Sequence, residues 1–269
     1  MSVRTPLRYP GGKHRALAQI FKQFPGHFAA FREPFVGGGS VFIAVRQAFP
    51  DVPVWINDLS PDVAAFWQVA QSQLEALARE VRAVRDTASD GRTLYQHWRD
   101  LEPQDTFERA LRFFVLNRIT FSGTTDSGGY SPAAFDTRFT HSSIERLRKL
   151  EAVMDGVRVT NLDYRAVLEP DNPEAFVFLD PPYWSATKSK LYGVNGHLHT
   201  GFDHGRFALE LKSCAHRWLV TYDDSAPVRK LFGFAHLEPW TLQYGMNNYR
   251  QDSAAIGQEL FIRNYRLEP

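Results

Sequence analysis

Short runs of apolar, β-favouring residues recur along the chain at 53–57, 156–161, 175–179, 217–222 and 259–265, each bounded by turn residues. Runs of this length and composition predict buried strands of an α/β sheet, with both faces covered. Between them the pattern changes to helical spacing. Ser60 is placed to cap a helix with Pro61 at its first position, and Val63, Phe66, Trp67, Ala70, Leu74, Leu77, Val81 and Val84 follow on one face, predicting a single long amphipathic helix. A second helix fits about 105–119. A third fits 142–154, where Ile144, Leu147, Leu150 and Met154 share a face. No buried strand is predicted between 62 and 152, and 120–141 is rich in Gly, Ser, Thr and Asp with isolated aromatics. The chain therefore divides into one sheet domain, 1–61 with 153–269, interrupted by a mostly helical insertion at 62–152.

Composition agrees with one domain and an appendage, since 269 residues at 43% hydrophobic content can bury one full core. The lone Cys214 excludes an intrachain disulfide and a multi-cysteine zinc site, and the nine histidines show no metal-ligand spacing even at His197 and His199. No metal is expected. The first thirty residues contain no long apolar run, so a cytoplasmic protein without a membrane segment is expected. Formal net charge is only +1, but residues 1–49 carry Arg4, Arg8, Lys13, Arg15, Lys22, Arg32 and Arg46 against Glu33 alone. That local excess suits either phosphate contact or an ordinary solvated face.

Residues 33–45 read as a strand end, a glycine turn at Gly37, Gly38 and Gly39, and the apolar start of a helix at Ser40. Consecutive glycines allow a sharp turn and close approach of a ligand to the backbone. Asp58 ends the next expected strand about twenty residues on, where a carboxylate accepts hydrogen bonds from ribose hydroxyls. No Lys-Ser or Lys-Thr follows the glycines, so this is not a phosphate-binding Walker loop. Glu33, Pro34 and Phe35 before the turn suit a cofactor with a cationic or amino-acid moiety. S-adenosylmethionine, a sulfonium attached to adenosine, has that chemistry.

The expected strand 175–179 ends in Asp180-Pro181-Pro182-Tyr183, which puts a carboxylate at the carboxyl edge of the sheet. The prolines stop the strand and fix the direction of the Pro181 carbonyl. Carboxylate and carbonyl together form an acceptor pair for the two N–H groups of a planar amino group, aiming its lone pair at a methyl donor. Tyr183 offers a face on which an extruded base stacks.

In their order along the chain these pieces resemble the Dam-like family of DNA N6-adenine methyltransferases (D12 class, alpha-arrangement). The resemblance covers nearly the whole chain and rests on Leu7-Arg8-Tyr9-Pro10-Gly11-Gly12-Lys13, Glu33-Pro34-Phe35-Val36-Gly37-Gly38-Gly39-Ser40, Asn57-Asp58, Asn161-Leu162-Asp163-Tyr164 and Asp180-Pro181-Pro182-Tyr183. It implies a Rossmann-like S-adenosylmethionine-dependent methyltransferase sheet with a helical target-recognition insertion. It also implies roles: Tyr9, Pro10, Gly12 and Lys13 closing over the methionine end of the cofactor, and Phe35 and Gly37 through Ser40 lining its pocket, where Glu33 and Pro34 are further candidates from their own chemistry. Asp58 takes the ribose, Asp163 and Tyr164 border the adenine, and Asp180 holds the target amino group. Asn247-Asn248-Tyr249-Arg250 and the segment from Glu259 to Tyr265 are similar to the closing part of the same family.

Asn117 through Gly123 resembles the segment leading into that family's DNA-reading hairpin, but Thr124 through Ser131 departs from it, so the target sequence does not carry over. Arg118, Ser122, Thr124, Thr125 and Arg138 are the candidate contacts to double-stranded DNA in the insertion. Lys188, Lys190 and Tyr192 are candidates for holding the flipped strand. Adenine is favoured over N4-cytosine because the motif opens with Asp180 rather than serine. RNA adenine methylation and a non-catalytic DNA-binding protein of the same fold stand as alternatives. A cognate restriction nuclease is a candidate partner, and a monomer or weak dimer is expected.

Overall fold

The computed structural model describes residues 2–125, 128–170, 175–185, 201–243 and 256–267. Seven strands form one sheet: β1 (Ala30–Glu33), β2 (Val54–Asn57), β3 (Arg158–Thr160), β4 (Ala175–Leu179), β5 (Arg217–Asp223), β6 (His236–Gln243) and β7 (Ile256–Arg263). Their spatial order is β3-β2-β1-β4-β5-β7-β6. The first five run parallel, with Arg32 beside Trp55 on one side and Val177 on the other, and Leu179 beside Val220. β7 inserts antiparallel between β5 and β6. Every residue of β4 is buried, as a central strand covered on both faces requires. Chain order reverses between β1 and β4, and such a switch point opens a crevice at the carboxyl ends of the strands.

The helices preceding and within the insertion are α1 (Leu17–Phe21), α2 (Ser40–Ala48), α3 (Pro61–Ser72), α4 (Leu74–Thr87), α5 (Gly91–Asp100), α6 (Thr106–Ile119), α7 (Pro132–Arg138), α8 (His141–Arg148) and α9 (Glu151–Met154), with α10 (Tyr164–Val167) after β3. Two further helices span His204–Ser213 and Ala226–Leu231. The single long helix expected from 60 onward is two: Gln73, at φ −141 and ψ 34, breaks it between α3 and α4. Ser60 does cap α3, its side chain accepting from the Val63 amide. The expected 142–154 helix likewise divides into α8 and α9. α5, capped by Asp90, had no counterpart in the sequence reading.

The insertion shares the core of the sheet. One apolar cluster runs from Phe31 and Phe176 through Phe42 and Trp67 to Phe66, Phe114, Ile119 and Leu147. α6 is its axis, with Ala110, Leu111 and every residue from Phe113 to Ile119 buried and Phe114 stacked on Phe66 at 5.8 Å.

Candidate active site

The carboxyl ends of β1, β2 and β4 bring the expected site residues together. After β1 the chain turns through Gly37 (φ +44) and Gly39 (φ +71) into α2. A Cβ on Gly39 would lie 2.5 Å from both Phe42 and Trp67, so space and backbone both demand glycine there. Tyr9 lies over Gly37 and Gly38, whose Cβ positions fall 2.7 Å from its ring and its Cβ atom. From α3, Trp67 Nε1 donates to the Gly37 carbonyl at 3.0 Å and ties the insertion to the turn.

Asp58 follows β2. Its Oδ2 accepts from the Gly37 amide and its Oδ1 from the Ser60 amide, both at 2.9 Å. Burial outweighs these bonds and raises its pKa to about 6. Glu33, at the end of β1, is fully enclosed and accepts from the Phe42 amide at 2.8 Å; burial pushes it well above the ordinary carboxylate range, and Asp180 and Asp58 add to the effect. Asn57 brackets three strand ends: its Nδ2 donates to the carbonyls of Pro34 and Leu162, and its Oδ1 accepts from the Leu162 amide and the Thr160 hydroxyl. Asp163 caps α10 and pairs with Arg165 at 2.7 Å, which holds its carboxyl below the usual range. Tyr164 packs with Phe35 at 5.5 Å and with Phe202 and Phe207.

Asp180 leaves the end of β4 with both oxygens engaged. Lys13 Nζ donates to Oδ2 and the Thr221 hydroxyl to Oδ1, each at 2.7 Å. Lys13 is 5% exposed and Asp180 23%, so this pair is shielded yet open on one side. The same ammonium lies 5.1 Å from the centre of the Tyr183 ring. Tyr183 donates its hydroxyl to Glu259 Oε2 at 2.9 Å and stacks on Tyr222 at 5.9 Å. His204 Nδ1 in turn bonds the Tyr222 hydroxyl.

A single cavity of about 550 Å³ gathers these groups. It is lined by every residue expected at the cofactor and catalytic sites: Tyr9, Pro10, Gly12, Lys13, Glu33, Pro34, Phe35, Gly37, Gly38, Gly39, Ser40, Asp58, Asp163, Tyr164, Asp180, Pro181, Pro182 and Tyr183. Sequence reasoning missed Phe202, Asp203 and Arg206, which also line it, although an Asp capping a helix after Gly201-Phe202 was a readable signal. It also missed Thr221 and Glu259, which reach the motif from the other half of the sheet.

Two of the expected DNA contacts in the insertion, Arg118 and Thr124, are buried. Arg118 is buried, not presented to a groove: Nε and NH2 donate to the Arg138 carbonyl and NH1 to the Pro6 carbonyl. Burial and the neighbouring Arg8, Arg146 and Arg138 push its pKa down. Thr124 is buried as well, its hydroxyl donating to the Phe121 carbonyl, while Ser122 and Thr125 are half-buried and Arg138 is exposed. Ser122 takes a left-handed backbone at φ 55. Beside it Phe121 is 59% exposed, an aromatic that the sequence reading passed over. Lys188, Lys190 and Tyr192, like Asn247 to Arg250, lie outside the described residues.

Residues 9–246 match the family model of the D12 class N6 adenine-specific DNA methyltransferases. The chain belongs to this family. Among its relatives is the type II methyltransferase M.MjaIII of Methanocaldococcus jannaschii, 26% identical over 71% of this chain and 73% of that one. The type II methyltransferase M.CviBI of Paramecium bursaria Chlorella virus NC1A is 24% identical over 96% of this chain and 98% of its own. A DNA adenine methylase of Haemophilus influenzae is 26% identical over 66% and 63%. The methyltransferase is thus an adenine-specific enzyme acting on DNA, and nothing among these matches favours the cytosine, RNA or non-catalytic alternatives. Among the described residues no helix is long and apolar enough to cross a membrane, and no cluster of His, Cys, Asp and Glu suits a metal ion.

Proposed function

We propose that the enzyme moves a methyl group from S-adenosylmethionine to N6 of an adenine flipped out of duplex DNA, with Asp180 holding the target amino group. The observation that carries this is the Asp180 carboxylate, held by Lys13 and Thr221 in the switch-point cavity that Tyr183 also lines. The donor set fits the cofactor: acidic side chains at Asp58, Asp163 and Glu33 with aromatic rings at Phe35 and Tyr164 match a ligand bearing a ribose, an adenine and two cationic centres, and Asp180 lines the same cavity. Bound there, S-adenosylmethionine supplies a methyl group on positively charged sulfur.

The chain's own residues do the rest. Asp58 receives the ribose hydroxyls, Tyr164 and Phe35 flank the adenine, and Lys13 faces the cofactor carboxylate with Tyr9, Pro10 and Gly12 closing above it. Asp180 and the Pro181 carbonyl accept the two N–H bonds of the target amino group, Tyr183 stacks on the base, and Asp180 is the adjacent group to take the proton released. Alignment of this kind is worth at most roughly 7–11 kcal/mol when near ideal. The insertion 62–152 reads the duplex through Arg138, Ser122 and Thr125. The protein acts in the cytoplasm as a monomer or weak dimer, and the type II names of its relatives make a cognate restriction nuclease the partner to test.

Asp180→Ala should abolish transfer of labelled methyl groups to DNA while cofactor affinity, measured by calorimetry, stays within a few-fold. Unchanged turnover in that variant would sink the assignment.

A further inference from the structure

We propose that Thr221 is a positioning residue for methyl transfer: its buried hydroxyl holds the Asp180 carboxylate in the orientation that receives the target amino group. This rests on the reading of Asp180 given above.

Thr221 lies in β5 and is completely buried. Its neighbours Trp218, Val220 and Tyr222 face one apolar cluster, and Leu219 faces the other. By strand alternation Thr221 shares the Leu219 face, where a valine would satisfy packing. A hydroxyl buried there costs free energy unless it is hydrogen-bonded. Its bond goes to Asp180 Oδ1 at 2.7 Å. Leu179 is in register with Val220, so Asp180 and Thr221 stand one step beyond, side by side on neighbouring parallel strands.

The two restraints on the carboxylate differ in kind. Lys13 reaches Oδ2 on a long side chain from the segment expected to close over the cofactor. Thr221 is β-branched, stiff at χ1 and mounted on a central strand. The terminal torsion of an aspartate is broad, so a single ammonium contact leaves the carboxylate plane free to turn. The neutral hydroxyl fixes that plane without cancelling the charge needed to accept N–H bonds.

Thr221→Val keeps the shape and removes the hydroxyl; Thr221→Ser keeps the hydroxyl. In single-turnover assays the valine variant should lose about 10- to 100-fold in rate, about 1.4–2.7 kcal/mol. Its KM values for DNA and cofactor should stay within about threefold, and serine should restore most of the rate. A valine variant with a rate within about twofold of wild type overturns the proposal. So does a serine variant as slow as valine, or a rate loss matched by lost cofactor affinity or lowered Tm. Asp180→Ala, run alongside, separates the two levels. If it is inactive while Thr221→Val is fully active, only the Thr221 proposal fails; if it is active, the reading of Asp180 fails and takes the proposal with it.

Discussion

Asp58 is a carboxylate whose titration falls near neutrality for a structural reason. It is enclosed between the glycine turn and the start of α3, and the amides of Gly37 and Ser60 offset only part of its desolvation, leaving its pKa at about 6. The sign follows directly. A carboxyl raised in the folded state opposes folding above its folded pKa, and that cost disappears below its unfolded value. For a ribose the ionised form is the better acceptor. Cofactor affinity should therefore be flat above about pH 7 and weaken by roughly tenfold by pH 5, in line with protonation of one group near pH 6. Calorimetric titration across that range checks this, and Asp58→Asn should bind more weakly with a flatter profile. An affinity that is independent of pH in the wild type would remove Asp58 from the cofactor contact.

At the scale of elements, the end of α6 joins the amino-terminal segment to the insertion. Asn117 accepts from the Arg8 amide and donates to the carbonyls of Arg8 and Gly123, and Arg118 spans Pro6 and Arg138. Arg118→Ala would leave the carbonyls of Pro6, buried, and Arg138, part-buried, without this donor and should cost about 3 kcal/mol in urea unfolding. Arg118→Lys should recover only part of this, because one ammonium lacks the planar fork that reaches both carbonyls. A loss below about 1 kcal/mol in the alanine variant would contradict this role. Arg118 also shows where sequence stops being legible. A cation next to a polar loop reads as a ligand contact, and only the packing of Pro6 and Arg138 around it shows otherwise. The same applies at β6, an edge strand broken up by His236, Glu238 and Pro239, whose pairing with β7 and stacking of Trp240 on Phe261 at 4.4 Å are invisible to a pattern of buried runs. By contrast β4, fully buried, and Asp180-Pro181-Pro182-Tyr183 were readable because one strand with covered faces and a forced stop leave little choice of structure. The break at Gln73 was not readable, since apolar spacing continues through it.

Over the whole molecule, a formal charge of +1 leaves little general attraction to DNA, so affinity must come from where cations are placed. Arg138 is exposed on the insertion, close enough to Arg8 to add to burial in pushing that guanidinium's pKa down. If it meets the backbone, Arg138→Ala should weaken binding about equally across sequences and reduce the slope of log K against log salt by about one. Fluorescence anisotropy at several salt concentrations measures this, and an unchanged slope would place Arg138 away from the phosphates. The contact between Lys13 and Asp180 has a consequence for how such an enzyme comes into being. The two residues are 167 positions apart, so the loop between them must close before the acid has its partner. Thr221 arrives 41 positions later still. If Asp180 acts as proposed, a chain still emerging from the ribosome lacks a finished acceptor for the target amino group until β5 has been made, and fragments shorter than that should leave DNA unmarked.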